Sequence, residues 1–198
     1  MIKYFILIVL GYLLGSIPFS YLTSKYIGKI DIRKHGSGNS GTTNVFRTLG
    51  KKAAFIAFIG DFSKGLIATI IGGFIFGTNG AFLCGLSSVI GHCYPFTLNF
   101  KGGKGVATSA GVIFAISPII GFILLFFQII IIATTKYMSL ASSLSAILFP
   151  FLGILFNKSI TFIIYSIIFS LFVLYKHRAN ISRLLSGKEN KLKFKKNS

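Results

Sequence analysis

Three polar segments, separated by apolar runs, hold most of the residues able to do chemistry in this chain. The first, from Asp31 to Lys52, reads DIRKHGSGNSGTTNVFRTLGKK. Gly36, Gly38 and Gly41 permit conformations in which successive backbone N–H groups line one concavity, where an anion replaces the missing acceptors. Ser37, Thr42 and Thr43 add hydroxyl donors, and Arg47 can grip phosphate oxygens through two parallel hydrogen bonds. The same residue types build solvated turns and helix caps. So dense a polar run between two spans nevertheless favours a site.

The second segment, GHCYPFTLNFKGGKGVATSAG from Gly91 to Gly111, sets Gly102, Gly103 and Gly105 around Lys104 just before an apolar run. A helix starting there offers unpaired N–H groups and the positive end of its dipole to a phosphate. It does not match GxxxxGK[ST], so nucleotide hydrolysis is not inferred. His92 is read first as an ordinary hydrogen-bonded histidine and second as a proton carrier. In the third segment, KHRANISRLLSGKENK from Lys176 to Lys191, helical spacing puts His177, Asn180 and Arg183 roughly on one face. Glu189, alone among Lys and Arg, is expected to fix the tail by ion pairing. The closing KLKFKK is either a basic surface-binding tail or a loose end.

Asp61 and Lys64 lie three apart within an apolar run, where isolated charges are costly; mutual pairing is the preferred reading and a cavity lining the alternative. Ser139, Ser142, Ser143 and Ser145 are read as close-packing residues, with Ser142 the exception that faces a pocket. Cys84 and Cys93 show no metal-ligand spacing and are assigned to packing.

These segments must be positioned by membrane helices. Of 198 residues 53% are hydrophobic and only 12% charged, with a mean hydropathy of +0.78, more apolar surface than a soluble domain can hide. Three acids, Asp31, Asp61 and Glu189, face 21 Lys and Arg for a net charge of +18, so an electrostatic partner is anionic. The basic residues sit in short connections rather than on a folded soluble surface, which argues against nucleic acid and for lipid or phosphate.

Apolar runs extend over Ile2–Thr23, Ala53–Phe76, Gly80–Gly91, Val106–Ile116, Pro118–Thr134, Ser139–Phe156 and Ile160–Tyr175. The first is read as a span and not a signal peptide, because no cleavage site follows. The third and fourth are short for a bilayer core of about 30 Å, and hydropathy alone also permits five spans. The charges favour seven. With the N-terminus outside, only Lys3 and Lys158 lie on the outer side and Lys64 within a span, while every other Lys and Arg faces inward. The expectation is a single all-α integral membrane domain over residues 1–198, with seven transmembrane helices, some short, an outside N-terminus and a cytoplasmic C-terminus. The outer turns, Gly77–Gly80 and Asn157–Ser159, are minimal, and no inverted repeat is visible.

At GSGNSGTTNVFR (36–47), GHCYPFTLNFKGGKGVAT (91–108) and HRANISRLLSGKEN (177–190) the chain closely resembles the bacterial acyl-phosphate:glycerol-3-phosphate acyltransferases, the PlsY family, over essentially its whole length. The resemblance implies a multi-pass enzyme of the bacterial cytoplasmic membrane with a cytoplasm-facing site. It would move a fatty acyl group from acyl phosphate to the 1-hydroxyl of glycerol 3-phosphate, giving lysophosphatidic acid and phosphate. Neither a cofactor nor a metal is implied; the expected partners are the two substrates, membrane lipid and an enzyme producing acyl phosphate. Carried over, it assigns Ser37, Arg47, Lys104, His177 and Asn180 to catalysis. From the resemblance and the residue readings together, Gly36, Gly38, Asn39, Gly41, Thr43, Asn44, His92, Gly102, Gly103, Gly105 and Ser142 are expected to bind substrate, and Asp61, Lys64 and Glu189 to serve structure. Ser40 and Thr42 depart from the family's smaller residues without removing a basic group.

Acyl phosphate is already activated, so the enzyme need only align hydroxyl and carbonyl and neutralise two phosphates. No HxxxxD pair follows His35, His92 or His177, which disfavours the His/Asp mechanism used with thioesters. Either His177 or a substrate phosphate is expected to accept the proton. The rivals are an organic-phosphate transporter, natural for Asp61 and Lys64, and a noncatalytic scaffold gathering anionic lipid.

Overall fold

The computed structural model describes residues 2–192; most of the basic tail, residues 193–198, lies outside them. Every regular element among the described residues is helical: α1 (Ile2–Gly15), α2 (Phe19–Ile27), α3 (Thr42–Leu49), α4 (Lys51–Cys93), α5 (Val106–Ile116), α6 (Pro118–Thr135), α7 (Met138–Leu155) and α8 (Ile160–Leu185), with short 3-10 turns at Ile32–Lys34 and Phe96–Leu98. The chain gathers into two compact units, one up to Pro118 and one from Ile119 onward.

Among the described residues, five stretches are long and apolar enough to cross a membrane by length and composition, Ile2–Ile27, Lys51–Leu98, Pro118–Thr135, Met138–Leu155 and Ile160–Leu185, and Val106–Ile116 is a shorter apolar helix. Large side chains such as Phe74, Phe122 and Leu171 stand exposed, as lipid-facing residues do and core residues of a soluble domain do not.

In the first unit, α1 and α5 both pack along α4. Helix α4 is not straight: Phe76 and Gly77 leave helical geometry, Gly77 at φ +57°. The chain then doubles back, because a Cβ on Gly72 would meet the Gly80 carbonyl oxygen and one on Gly80 would meet that of Gly72. Residues eight apart in a continuous helix are about 12 Å apart along the axis, so this contact requires reversal. The two apolar runs expected on either side of Gly77–Gly80 are thus the two arms of a helical hairpin.

The expected span Ile2–Thr23 is interrupted. Pro18 lacks an N–H and divides it into the 14-residue α1 and the 9-residue α2. Carbonyls opened by the break find donors elsewhere: Thr97 Oγ1 donates to Ser16 O at 2.9 Å, and Lys64 Nζ to Ile17 O at 2.7 Å. Within lipid such re-pairing is what makes a broken helix tolerable.

In the second unit α7 packs on α8. Pro150 lies inside α7 and cannot donate to the carbonyl of Ala146 four residues back. Ser170 of α8 donates there instead, at 2.5 Å. Helix α8 runs on to Leu185, well past the apolar run ending at Tyr175, so the basic third segment begins as helix.

Candidate active site

The first polar segment is less irregular than its composition implies. Its few apolar residues cluster: Ile32 and Val45 are fully buried with Ala53, Ala54 and Ala57, and Ile30, Phe46 and Leu49 pack around them. Burial of Val45, Phe46 and Leu49, at helical spacing, turns Thr42–Leu49 into α3 and carries Arg47 on a helix rather than a loop. Asp31 caps the preceding 3-10 turn by accepting from Arg33 N at 3.0 Å, and Arg33 Nη2 bonds its carboxylate at 2.7 Å. The Arg33 guanidinium holds the Asp31 carboxyl down at about 2.

Gly36 and Gly38 take positive φ, +59° and +71°, so the glycine-rich turn needs them. Asn44 closes it from beneath. Its buried side chain accepts from Ser37 N at 2.9 Å and donates to the carbonyls of Ile32 (3.1 Å) and His35 (2.9 Å). This engages both amide protons within the turn, so Asn44 supports the turn rather than presenting a donor to a ligand. The Ser37 side chain is exposed above it, Arg47 is half-buried, and Thr42 Oγ1 is buried with no hydrogen-bond partner among the described residues.

The first two segments meet. Asn39 Nδ2 donates to Gly102 O at 3.4 Å and Ser40 Oγ to Lys101 O at 3.5 Å, across more than sixty positions of sequence. Gly102 N and Gly103 N donate to the carbonyls of Cys93 (3.2 Å) and His92 (3.1 Å). These two N–H groups therefore face the protein and are withdrawn from the anion cradle expected of them. Gly105, at φ +84°, caps α5, whose first-turn N–H groups have no intrahelical acceptor by construction. They and the half-buried Lys104 are the candidate donor and cationic groups of the second segment.

Beneath them lies a buried charged cluster. Asp61 Oδ1 is 3.1 Å from Lys64 Nζ and 3.3 Å from His92 Nδ1, and Ser20 Oγ donates to Asp61 Oδ2 at 2.6 Å. The Asp61–Lys64 pair is as expected, whereas the attachment of His92 and Ser20 was not foreseen: residues 20, 61 and 92 share no spacing pattern.

In the second unit, Glu189 gathers three donors: Asn180 Nδ2 at 2.7 Å and Ser139 Oγ at 2.9 Å on Oε1, and Arg183 Nε at 2.8 Å on Oε2. Burial raises the Glu189 carboxyl's affinity for a proton, but these hydrogen bonds and the Arg183 charge outweigh it and hold the group below its usual range. Leu192 N donates to Lys136 O at 2.8 Å, so the segment after α8 returns to the start of α7. His177 is buried, and its Nδ1 lies 2.8 Å from Val173 O. A carbonyl only accepts, so Nδ1 carries the proton and Nε2 of the neutral ring is the basic nitrogen. Ser142, expected to face a pocket, donates its hydroxyl to Met138 O at 2.9 Å in its own helix. Ser139 was read as packing and instead serves Glu189. Ser143 Oγ and Ser145 Oγ are buried with no hydrogen-bond partner among the described residues.

The profile of the glycerol-3-phosphate acyltransferase family matches residues 5–187. The chain belongs to that family. Among its relatives, the glycerol-3-phosphate acyltransferase of Thermoanaerobacter pseudethanolicus is 45% identical over 184 residues, covering 93% of each chain. A glycerol-3-phosphate acyltransferase 2 of Bacillus cereus is 45% identical over 197 residues, 99% of this chain and 98% of its own. The crystal structure of PlsY (YgiH), an integral membrane glycerol 3-phosphate acyltransferase, in its glycerol 3-phosphate form, superposes with a TM-score of 0.90 at 38% identity, covering 96% of both chains. Its lysophosphatidic acid form matches at 0.89. This acyltransferase is accordingly an all-helical integral membrane protein of the PlsY type.

Proposed function

We propose that this acyltransferase moves a fatty acyl group from acyl phosphate to the 1-hydroxyl of glycerol 3-phosphate. The hydroxyl oxygen forms the new ester bond, the acyl–phosphate bond breaks, and lysophosphatidic acid and inorganic phosphate leave. The observation that carries the reading is the meeting of the Gly36–Gly41 turn with the Lys101–Lys104 turn through Asn39 and Ser40. It sets the turn that carries Ser37 beside the turn that carries Lys104, which supports a shared anion-seeking surface that Arg47 and the start of α5 would complete. Two phosphates approach one another in such a transfer, and fixed cations that neutralise them lower its barrier without further reorganisation. The relatives' names supply the acceptor, and the neighbour's glycerol 3-phosphate and lysophosphatidic acid forms fit it.

His177 Nε2 is the proposed proton acceptor, and Asn180, held by Glu189, a further residue serving the reaction. Seven spans are proposed, counting both arms of α4 and the short α5, with the cationic segments facing the cytoplasm; the inward bias of Lys and Arg supports that orientation. The proposed location is the bacterial cytoplasmic membrane, where an acyl-phosphate-producing enzyme would supply the donor. A transporter reading drew on Asp61 and Lys64, and those charges pair with each other and with Ser20, His92 and Ile17.

Purified protein given glycerol 3-phosphate with either acyl phosphate or acyl coenzyme A tests the reading. Lysophosphatidic acid formed from acyl phosphate alone is expected. Product only from the thioester, or no product alongside glycerol 3-phosphate uptake into proteoliposomes, would overturn it.

A further inference from the structure

Asp61 lies where three parts of the first unit meet. Ser20, in the first turn of α2, donates to its Oδ2 at 2.6 Å; Lys64 and His92 face its Oδ1 at 3.1 and 3.3 Å. Lys64 also reaches Ile17 O at the Pro18 break. Burying such a charge pair contributes little net stability compared with apolar residues of the same volume, so its retention calls for another explanation.

His92 supplies one, because it touches the second polar turn twice. Its carbonyl accepts from Gly103 N at 3.1 Å. Its ring lies so close to Gly103 that a Cβ there would meet Nε2 first, then Cδ2 and Cε1. All three nearest atoms belong to the imidazole, so this ring is the floor on which Gly103 rests. Lys104 is the next residue. A rotation of the ring about its Cβ therefore displaces the turn, and the Asp61 carboxylate at Nδ1 opposes that rotation.

We propose that Asp61 is a positioning residue for the acyl-transfer reaction. Through the His92 ring it fixes the Gly102–Gly103 turn, and so the place at which Lys104 and the first turn of α5 meet the phosphate of glycerol 3-phosphate. The inference rests on the proposed function for the identity of that phosphate. Ser20 completes the device by holding the second carboxylate oxygen, so that the carboxyl plane cannot turn away from His92.

Steady-state kinetics with both substrates varied will test this on Asp61→Asn, His92→Gln, Ser20→Ala and the double variant Asp61→Asn/His92→Gln. Each single variant at Asp61 or His92 should raise KM for glycerol 3-phosphate about tenfold, with kcat held within about twofold and KM for acyl phosphate unchanged. The double variant should be no worse than the poorer single one, since both remove the same constraint. Ser20→Ala keeps the buried charges and should give a smaller rise of the same kind. A merely structural role would lower the active fraction, hence apparent kcat, at constant KM. That result, or additive effects in the double variant, overturns the proposal. If Asp61→Asn fails to fold, because Lys64 is left without its anion, unchanged KM in both His92→Gln and Ser20→Ala does so as well. Wild-type protein that makes no lysophosphatidic acid sinks the function reading itself; an active wild type beside variants of unaltered KM sinks only this inference.

Discussion

Asn180 donates its side-chain amide to Glu189 at 2.7 Å, nine residues further along the chain. One end of a candidate catalytic side chain is thereby tied to the segment that folds back after α8. Arg183 and Ser139 bind the same carboxylate, and all three bonds are charge-assisted only while Glu189 is ionised. Because its folded pKa lies below the ordinary 4.5, the folded protein binds this proton less readily than the unfolded chain. The stabilisation is complete above the unfolded value and lost as pH falls through the folded one. Glu189→Gln should therefore melt at a lower temperature than the wild type in detergent, by a constant gap from pH 8 to about pH 5. That gap should narrow only below 4.5. A gap that widens on acidification would contradict the clamp.

Asn44→Ala should damage the first turn more than its small volume change suggests. The carbonyls of Ile32 and His35 would each lose one of their two donors and the N–H of Ser37 its acceptor, and each such hydrogen bond contributes about 0.5–1.5 kcal/mol. Thermal unfolding and activity should fall together. Ser37→Ala, whose exposed hydroxyl supports nothing in the turn, should lose activity with an unchanged melting temperature.

Arg47→Ala and Lys104→Ala should each lower kcat/KM by about a hundredfold or more, the usual effect of removing one preorganised donor from developing charge. Size-exclusion profiles should stay those of the wild type, since both side chains are half-buried at the surface of the first unit. Retained turnover in either variant would favour a scaffold that merely gathers anionic lipid.

His177→Gln preserves a hydrogen-bonding side chain and removes the basic nitrogen opposite the Val173 bond. If Nε2 takes the hydroxyl proton, kcat should fall about a hundredfold or more, and the acidic limb of the pH–rate profile should disappear. Near-normal turnover would transfer the role to a substrate phosphate.

The two arms of α4, the start of α5 at Val106 and the reach of the cationic segments were legible in the sequence because each depends on local pattern: apolar runs, glycine turns, clustered charge. Helix α3 was not, since Val45, Phe46 and Leu49 are too few to outweigh the polar residues around them, and only packing on Ala53, Ala54 and Ala57 reveals their common face. The break at Pro18 was hidden by uninterrupted hydropathy. In the candidate site, residue types suggested an anion surface, but not that Gly102 and Gly103 turn their N–H groups inward or that the His92 ring lies 3.3 Å from Asp61. Those are long-range pairings with no periodicity to read. Ser139 illustrates the same limit, for a serine in an apolar helix looks identical whether it packs or holds a carboxylate fifty residues away.

The reversal within α4 separates two effects that glycine usually combines. Gly77 has φ +57° but nothing within 4 Å of an added Cβ, whereas Gly72 and Gly80 have ordinary φ and each other's carbonyls in the way. Gly77→Ala should therefore incur only a backbone penalty, about 1–3 kcal/mol, since φ +57° with ψ −152° is a conformation that essentially only glycine adopts. Gly72→Val and Gly80→Val must push two helix backbones apart, since the obstructing atoms cannot change rotamer, and should exceed the usual overpacking cost of about 1–3 kcal/mol. Melting temperatures in one detergent rank the three. If Gly77→Ala proved the most damaging, residues 51–93 would not form the tightly apposed hairpin that carries His92 back towards Asp61.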